Sequence, residues 1–284
     1  MSGFLEAMAR SSETRARAAG PIGALLARAS ETPAPPRLVL QGFDLFAEVK
    51  RASPSEGALV PGRSSEHAGF AAAAAARYAA AGAAAVSVLT EPSRFGGGLD
   101  DLAAAAAACP APVMRKDFLV DPVQLVEARL AGAGGALLIA RMLDDARLDE
   151  LLAAAAELGL FVLLEAFDAA DLDRCGRALA SRRGSDGSGR AGGAHTVLVG
   201  LNSRDLTTLA VDPGRLTALA DRLPAGVPTV AESGLTTPAD VSAVAAHGYA
   251  AALIGSALMR AADPAALAAD LLSAGRAAKG APCS

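Results

Sequence analysis

Residues 112–140 read PVMRKDFLVDPVQLVEARLAGAGGALLIA, and this stretch decides the fold class. It begins with a short apolar run that ends in polar residues, continues with a longer segment of helical character, and reaches a second apolar run at 135–140. Runs that are continuously apolar, rather than alternating, are typical of parallel strands covered on both faces. The segment between the two runs leaves room for a crossover helix. The stretch therefore predicts one strand–helix–strand unit.

Outside this unit the same pattern recurs, so that the chain contains eight such apolar runs. They read FAEVK (46–50), AVSVLTE (85–91), PVMRKDF (112–118), GALLIA (135–140), FVLLEA (161–166), VLVGLN (197–202), PTVAESG (228–234) and AALIGS (251–256). Eight units predict an α/β fold, a (β/α)₈ TIM barrel. A doubly wound open sheet is the alternative, because periodicity does not show whether a sheet closes. Polar residues follow nearly every run, and this favours the barrel, whose enzymes build their sites at the C-terminal ends of the strands.

We expect the whole chain to form a single domain. It has three predicted parts, namely an N-terminal helical extension, the barrel and a C-terminal tail, at residues 1–44, 45–272 and 273–284. The extension contains a predicted amphipathic helix, FLEAMARSSETRARAA (4–19), and a proline-bearing loop, ETPAPPRL (31–38). It could cover the bottom or side of the barrel, or partly close an active site. The Gly/Ser/Arg segment at 181–195 predicts a flexible insertion without chemistry.

Composition excludes several classes of function. A net charge of −4 gives no electrostatic footprint for nucleic acid, and 4% aromatic residues without Trp leave few surfaces on which bases could stack. The alanine runs are too short to cross a membrane, and no secretory signal is evident. The three cysteines are scattered, which favours reduced thiols over a disulfide framework or a zinc site. We therefore expect a cytoplasmic protein with no metal, no membrane contact and no nucleic-acid partner.

The lysines are few and are placed where chemistry could use them. Only three occur among 26 basic residues, and Lys50 and Lys116 each lie at the end of an apolar run. A lysine ammonium is a donor whose pKa shifts readily on burial, whereas arginine stays charged. Glu48 lies two residues before Lys50 and hence on the same face of its strand. With Glu165, these residues could form an acid–base site or a buried structural ion-pair network, and burying four charges for stability alone is unfavourable.

Glycine and serine follow the last two strands, in the sequences AESGL and LIGSAL. Backbone N–H groups in such turns can approach an anion closely, and phosphate sites of barrel enzymes commonly lie after strands 7 and 8. Either sequence alone would be weak, because glycine at the end of a strand is often only a turn. Together they predict a site for a phosphate monoester. Asn202, Arg204 and Glu232 add polar groups to the same rim.

Six stretches together resemble the indole-3-glycerol-phosphate synthase family, the carbon–carbon carboxy-lyases of tryptophan biosynthesis. They are AEVKRASPSEG, VSVLTEPSRFGGG, PVMRKDFLVDPVQLVEARLAGA, VGLNSRDL, VAESGL and LIGSALMR, in the family's order over about residues 45–260. The resemblance implies ring closure, decarboxylation and dehydration of 1-(2-carboxyphenylamino)-1-deoxyribulose 5-phosphate. It implies a small phosphosugar-anthranilate substrate, with no cofactor and no obligate protein partner.

The resemblance also assigns site residues. Lys116 matches the general acid, Glu165 the carboxylate of the dehydration, and Lys50 the lysine that contacts the substrate carboxylate and could itself serve as an acid. The positions that orient reacting groups match Glu48 and Asn202, and a further carboxylate of the site matches Glu232. The positions that hold the anionic ends of the substrate match Ser53, Arg204, Ser233, Gly234, Gly255 and Ser256. The apolar positions beside the anthranilate ring match Phe95 and Phe118.

Two positions depart from the family pattern. Phe167 stands where many members have histidine, and Glu56 replaces a common lysine. We expect Phe167 to alter packing or pH response, and Glu56 to weaken substrate capture slightly. A different phosphosugar barrel, such as phosphoribosylanthranilate isomerase, is disfavoured by the KRASPS and RKDF motifs. A non-catalytic paralogue that binds a phosphorylated ligand is the alternative from another class, and the retained Lys50, Lys116 and Glu165 argue against it.

Overall fold

A closed barrel of eight parallel strands forms the centre of the molecule, as the repeated apolar runs predict. The computed structural model describes residues 3–55, 57–60, 64–185, 196–205 and 208–280. We number the barrel strands β1 to β8: Asp44–Val49, Ala85–Leu89, Val113–Lys116, Gly135–Ile139, Phe161–Ala166, Val197–Asn202, Thr229–Glu232 and Ala251–Ile254. Strands β8 and β1 pair in parallel, with Asp44 opposite Ala251, so the sheet closes and the open-sheet alternative is wrong.

Helices surround the barrel because the alanine- and leucine-rich segments between strands have high helix propensity. Their starts follow capping rules: the Asp121 carboxylate accepts a hydrogen bond from the Val123 N–H, and Pro122 occupies the first turn. The helices are α1 Gly3–Ala18, α2 Ile22–Glu31, α3 Ser64–Ala80, α4 Pro92–Phe95, α5 Leu99–Ala108, α6 Pro122–Leu130, α7 Asp145–Glu157, α8 Ala169–Ser185, α9 Gly214–Ala218, α10 Pro238–Ala246, α11 Ser256–Arg260 and α12 Pro264–Lys279.

The barrel interior is a packed core at one end and a cavity at the other. Phe46 and Phe161 meet edge to face, with ring centroids 6.1 Å apart, and both are buried. Gly135 lies against the Phe161 ring, where a Cβ would come within 2.4 Å of it. These residues precede the polar strand ends, so large apolar side chains fill the N-terminal part of the barrel and leave the C-terminal mouth to polar groups.

Helix α1 of the N-terminal extension packs at the C-terminal mouth of the barrel. Helix α1 confirms the predicted amphipathic helix, and its Leu5 and Met8 are buried. Arg15 on the same helix donates two hydrogen bonds to the Asp117 carboxylate, just beyond the end of β3. The sequence patterns did not predict α2, which packs on α6. Of the two placements left open for the extension, α1 therefore takes the one beside the site.

Two further segments differ from, or extend, the sequence expectation. Residues 181–185 continue α8, so the predicted flexible insertion is wrong over its first five residues, and 186–195 lie outside the described residues. Helix α12 continues beyond residue 272 to Lys279, with Leu271 and Leu272 buried. The division of the chain into extension, barrel and tail stays a prediction. In the described ranges, no helix is long and apolar enough to cross a bilayer.

Candidate active site

A cavity of about 320 Å³ opens at the C-terminal ends of the barrel strands. Parallel strands bring their C-terminal residues to one rim, and inward-facing positions point into the space between them. All the site residues named from sequence lie around this cavity: Glu48, Lys50, Ser53, Phe95, Lys116, Phe118, Glu165, Asn202, Arg204, Glu232, Ser233, Gly234, Gly255 and Ser256. The structure thus brings together residues that are up to 208 positions apart in the chain.

Lys116 stands between two buried carboxyl groups. Its Nζ lies 3.6 Å from Glu165 Oε2 and 3.8 Å from Glu232 Oε2. Asn202 Nδ2 donates a hydrogen bond of 2.5 Å to Glu165 Oε1, which fixes the orientation of that carboxylate. The Asn202 side chain is fixed in turn, because its Oδ1 accepts from the backbone N–H of Arg204. Four strands, β3, β5, β6 and β7, thus supply one connected set of groups.

The charges of this set shift one another's pKa values. Burial alone would lower the pKa of Lys116, but Glu165, Glu232 and Glu48 outweigh it and raise that pKa, so the ammonium stays protonated. Burial raises the pKa of Glu232 well above its ordinary value, and the Glu165 carboxylate beside it raises it further, against the opposing effect of Lys116. The site therefore holds the Lys116 ammonium beside Glu165 and beside a Glu232 whose pKa is raised.

A second ion pair lies on β1. Lys50 Nζ is 3.0 Å from Glu48 Oε1, and both side chains are at least nine-tenths buried. Burial opposes ionisation of Glu48, yet Lys50 and Lys116 together lower its pKa. Glu48 therefore stays ionised and partly offsets the charge of Lys50. The i, i+2 spacing read from the sequence gives the contact that was expected from it.

Turns that contain glycine and serine line another wall of the cavity. Ser233 and Gly234 both have positive φ, 67° and 77°, and this left-handed turn follows β7 directly. A Cβ on Gly234 would lie 2.8 Å from Val211 Cγ1, so a larger residue would be both strained and crowded. Gly255 and Ser256 follow β8 at the same cavity wall. The turns thus place backbone N–H groups and hydroxyls beside one another.

Arg204 reaches across this rim from the end of β6. Its guanidinium donates to the Leu209 carbonyl oxygen at 2.8 Å and to Ser55 Oγ at 3.3 Å. Ser53 Oγ lies 3.4 Å from Ser55 Oγ, so the loop after β1 is linked to the loop after β6. The Arg204 guanidinium therefore connects the loop after β1 to the loop after β6. Glu56, the departure from the family's usual lysine, lies outside the described residues.

An aromatic wall forms the other side of the cavity. The rings of Phe95 and Phe118 are 6.1 Å apart at a 40° tilt. Phe4 of α1 meets Phe118 edge to face at 5.8 Å and also lines the cavity. Glu91 holds Phe95 in place, since its carboxylate accepts hydrogen bonds from the first N–H groups of α4. Sequence reasoning missed Phe4, because an aromatic residue on an amphipathic helix usually signals only core packing.

Phe167 packs beneath an arginine rather than standing free in the cavity. The guanidinium of Arg141 lies 4.8 Å from the centroid of its ring, within range of a cation–π interaction. Asp171 and Asp168 hold Arg141 by ion pairs of 2.6 and 2.5 Å. The ring is buried and lines the cavity next to Glu165. Phe167 thus provides an apolar ring, in contact with the Arg141 guanidinium, at the position where many proteins of the resembled family have the ionisable ring of histidine.

The family model for indole-3-glycerol phosphate synthase matches residues 37–271. The chain belongs to the indole-3-glycerol phosphate synthase family. Proteins named indole-3-glycerol phosphate synthase from Rhizorhabdus wittichii and Mycolicibacterium smegmatis are each 41% identical to it, over 82% of this chain and 80% and 78% of theirs. One from Micrococcus luteus is 43% identical over 77% of this chain and 74% of that protein.

Solved structures share the barrel of this synthase family member at low identity. A 3-hexulose-6-phosphate synthase from Salmonella typhimurium has a TM-score of 0.56 at 16% identity, covering 81% of this chain and 97% of that one. A second 3-hexulose-6-phosphate synthase gives 0.57 at 22% identity, covering 81% and 99%. These similarities concern the fold alone. The family assignment confirms the resemblance that the six sequence stretches carry, whereas the roles of individual residues stay predictions.

Proposed function

We propose that this protein is an indole-3-glycerol phosphate synthase, which converts 1-(2-carboxyphenylamino)-1-deoxyribulose 5-phosphate into indole-3-glycerol phosphate, carbon dioxide and water. The observation that carries the proposal is the position of the Lys116 ammonium, 3.6 Å from Glu165 and 3.8 Å from Glu232. These groups lie in a cavity with anion-binding turns on one wall and aromatic rings on another. This arrangement supports acid–base chemistry on a substrate that has a phosphate at one end and an aromatic ring at the other.

Substrate binding serves orientation. Ring closure requires an aromatic carbon to be held close to a carbonyl carbon, and clamping both ends of a flexible substrate achieves this. The aromatic wall of Phe95 and Phe118 receives the anthranilate ring. Lys50 contacts its carboxylate. The anionic ends are held by Ser53, Arg204, Ser233, Gly234, Gly255 and Ser256.

Lys116 acts as the general acid of ring closure. As the aromatic carbon attacks the substrate carbonyl carbon, the carbonyl oxygen gains electron density and takes a proton from the Lys116 ammonium. The surrounding carboxyl groups keep Lys116 protonated before this step, because they raise its pKa. Their proximity also stabilises the charge that the ammonium carries while the substrate binds.

Decarboxylation follows from the loss of aromaticity in ring closure. The bond to the carboxylate breaks, and its electron pair restores the aromatic ring as carbon dioxide leaves. A cation that held the carboxylate too tightly would oppose this step. Glu48, 3.0 Å from Lys50, partly neutralises that lysine, so Lys50 can orient the carboxylate without retaining it strongly.

Dehydration completes the indole ring. The hydroxyl formed from the carbonyl oxygen leaves as water after gaining a proton, and the adjacent ring carbon loses one. We assign this proton transfer to Glu165, because Asn202 donates a hydrogen bond to one of its carboxylate oxygens and the other lies toward Lys116. Glu232, whose pKa is raised by burial and by Glu165, lies beside it and takes part in the proton transfer.

The test uses substrate labelled with ¹³C at the carboxylate. We expect the wild-type protein to release labelled carbon dioxide and to form indole-3-glycerol phosphate in equal amounts, measured by NMR and indole fluorescence. Release of carbon dioxide without indole would show that the dehydration assignment is wrong. Substrate binding by calorimetry without either product would support a non-catalytic, ligand-binding protein instead.

The proposal also includes the setting of the reaction. We place the protein in the cytoplasm, with a small-molecule substrate and without nucleic acid or an obligate protein partner. Two buried free thiols, Cys109 and Cys175, are compatible with a reducing compartment. Fractionation of cells that express the tagged protein, with activity followed in each fraction, tests the location.

A further inference from the structure

Gly200 on β6 lies between the two carboxyl groups of the site. It pairs in register with Glu165 of β5. It also lies two residues before Asn202, which is the register partner of Glu232 on β7, so Gly200 and Asn202 share the inward face of β6. The backbone of Gly200 does not adopt the left-handed conformation that would require glycine. The reason for glycine here is therefore space rather than backbone conformation.

The space is filled by the carboxyl group of Glu232. A Cβ built on Gly200 would lie 2.0 Å from Glu232 Oε1, a distance that real Cβ atoms do not show, and 3.1 Å from its Cδ, which is tighter than most real contacts. Leu163 Cδ1 would be 3.2 Å away on the other side, so the Cβ could not avoid the carboxyl group by a small shift toward β5. Any residue larger than glycine at position 200 must therefore displace Glu232.

The charges around Glu232 show what its position controls. Glu165 faces it from β5, Lys116 from β3 and Glu48 from β1. Its side chain is 1% exposed, and within the described part of the chain neither carboxyl oxygen has a hydrogen-bond partner. A buried carboxyl group without hydrogen-bond donors responds to burial and to the charges around it, so its distances from Glu165 and Lys116 contribute to its pKa.

We propose that Gly200 is a positioning residue for the reaction: the absence of its side chain admits the Glu232 carboxyl group beside Glu165 and Lys116. This inference rests on the proposed function for its catalytic meaning. The same device occurs at the neighbouring strand end, where a Cβ on Gly255 would lie 2.2 Å from Glu48 Oε1. Each of the two buried glutamates thus occupies space that is left open by a glycine on, or directly after, the adjacent strand.

The Gly200→Ala variant tests the inference because it moves Glu232 without removing it. The added methyl group pushes the carboxyl group away from β5 and hence from Glu165, so the raised pKa of Glu232 falls toward its ordinary value. Glutamate labelled with ¹³C at the carboxyl carbon reports this pKa directly in an NMR titration, with Glu232→Gln identifying the signal. We expect this pKa to fall, and the basic limb of the kcat profile to shift in the same direction.

Two comparisons separate positioning from general packing. Gly135→Ala is the matched control, because its Cβ would meet the Phe161 ring at 2.4 Å, away from the carboxyl groups; we expect lower stability and an unchanged Glu232 titration. In a Glu232→Asp background the shorter side chain withdraws from the added methyl group. There, Gly200→Ala should therefore change kcat by a much smaller factor than it does in the wild type.

The outcomes are distinguishable from those of the proposed function. An unchanged Glu232 titration in Gly200→Ala, or an equal loss of kcat in the wild-type and Glu232→Asp backgrounds at every pH, would overturn the role of Gly200 even if the wild type turns over. The opposite outcome is also possible: the pKa of Glu232 is raised in the wild type and falls in Gly200→Ala, but the wild type makes no product. This result would overturn the proposed function and would still support the placement of Glu232 by Gly200.

Discussion

Replacing Arg15 with methionine removes the ion pair that joins helix α1 to the barrel. The Asp117 side chain is fully buried and accepts hydrogen bonds from Arg15 at 2.7 and 2.8 Å, from Thr90 Oγ1 at 2.7 Å and from the Phe118 N–H at 2.8 Å. Methionine keeps the length and apolar surface of the arginine stem. The substitution thus tests the charge and its hydrogen bonds rather than packing.

The magnitude follows from burial. Removing one partner of a fully buried pair costs about 3–5 kcal/mol, because the other charge is left uncompensated. Arg15 is 25% exposed, and Arg115 still lies 3.4 Å from Asp117, so part of the charge stays neutralised. We therefore expect a loss of about 2 kcal/mol in the free energy of unfolding, or about 5 °C in Tm. Because α1 places Phe4 against Phe118, we also expect a higher KM for the substrate.

The pH dependence has a definite sign. Burial would raise the pKa of Asp117, but Arg15, Arg115 and Thr90 lower it, so its stabilising effect is present above the ordinary value of 3.8 and is lost as pH falls through the depressed folded-state pKa. The stability difference between wild type and Arg15→Met should therefore be constant between about pH 6 and 8. Urea unfolding followed by circular dichroism measures it.

The matched control is Arg17→Met on the same helix. Arg17 is 77% exposed and pairs with the half-exposed Glu13 at 3.3 Å, so we expect a change below about 0.5 kcal/mol. If Arg15→Met is no more destabilising than Arg17→Met, the ion pair does not hold α1 on the barrel. An unchanged KM in a destabilised Arg15→Met would instead contradict the contribution of Phe4 to the site.

Other substitutions test separate parts of the site. The Gly234→Val variant should raise KM about tenfold or more with a smaller effect on kcat, because φ at Gly234 is 77° and valine would distort the turn proposed to bind the phosphate. Steady-state kinetics at several phosphate concentrations measures this. An unchanged KM would remove Gly234 from the proposed phosphate site. The Phe167→His variant should keep most of its activity at pH 8. Because burial and Arg141 depress the folded-state pKa of the new imidazole, the Tm of the variant should fall below that of the wild type as pH decreases through about 6.5. A difference in Tm that stays constant with pH contradicts this.

The barrel could be predicted from sequence because parallel strands buried on both faces give short, uninterrupted apolar runs. The runs at 161–166 and 197–202 correspond to β5 and β6 with the same bounds. Helix α2 could not be identified in this way, since its buried surface is small: Ala29 is its one buried residue, and Ile22 and Leu26 remain exposed. Its position depends on packing against α6, which the local sequence does not encode.

The polar constellation was predictable in part. The i, i+2 spacing indicates that Glu48 and Lys50 face the same way, and the strand ends place Lys116 and Glu165 at one rim. Composition alone does not give the distances among Glu232, Glu165 and Lys116 that contribute to the raised pKa of Glu232. Those distances depend on the absence of a side chain at Gly200, and a glycine inside an apolar strand carries no sequence signal beyond possible close approach.

The Lys116→Ala variant tests the central claim most directly, namely that an ammonium held between two carboxyl groups is the acid of ring closure. Indole fluorescence gives kcat, and calorimetry gives the affinity for the substrate and for inorganic phosphate. We expect a loss in kcat of about 10² to 10⁴ fold, because Lys116 supplies the proton of ring closure. The affinity for phosphate should be nearly unchanged, because the proposed anion-binding turns follow β7 and β8. Turnover by Lys116→Ala at the wild-type rate would contradict the role of Lys116 as the acid.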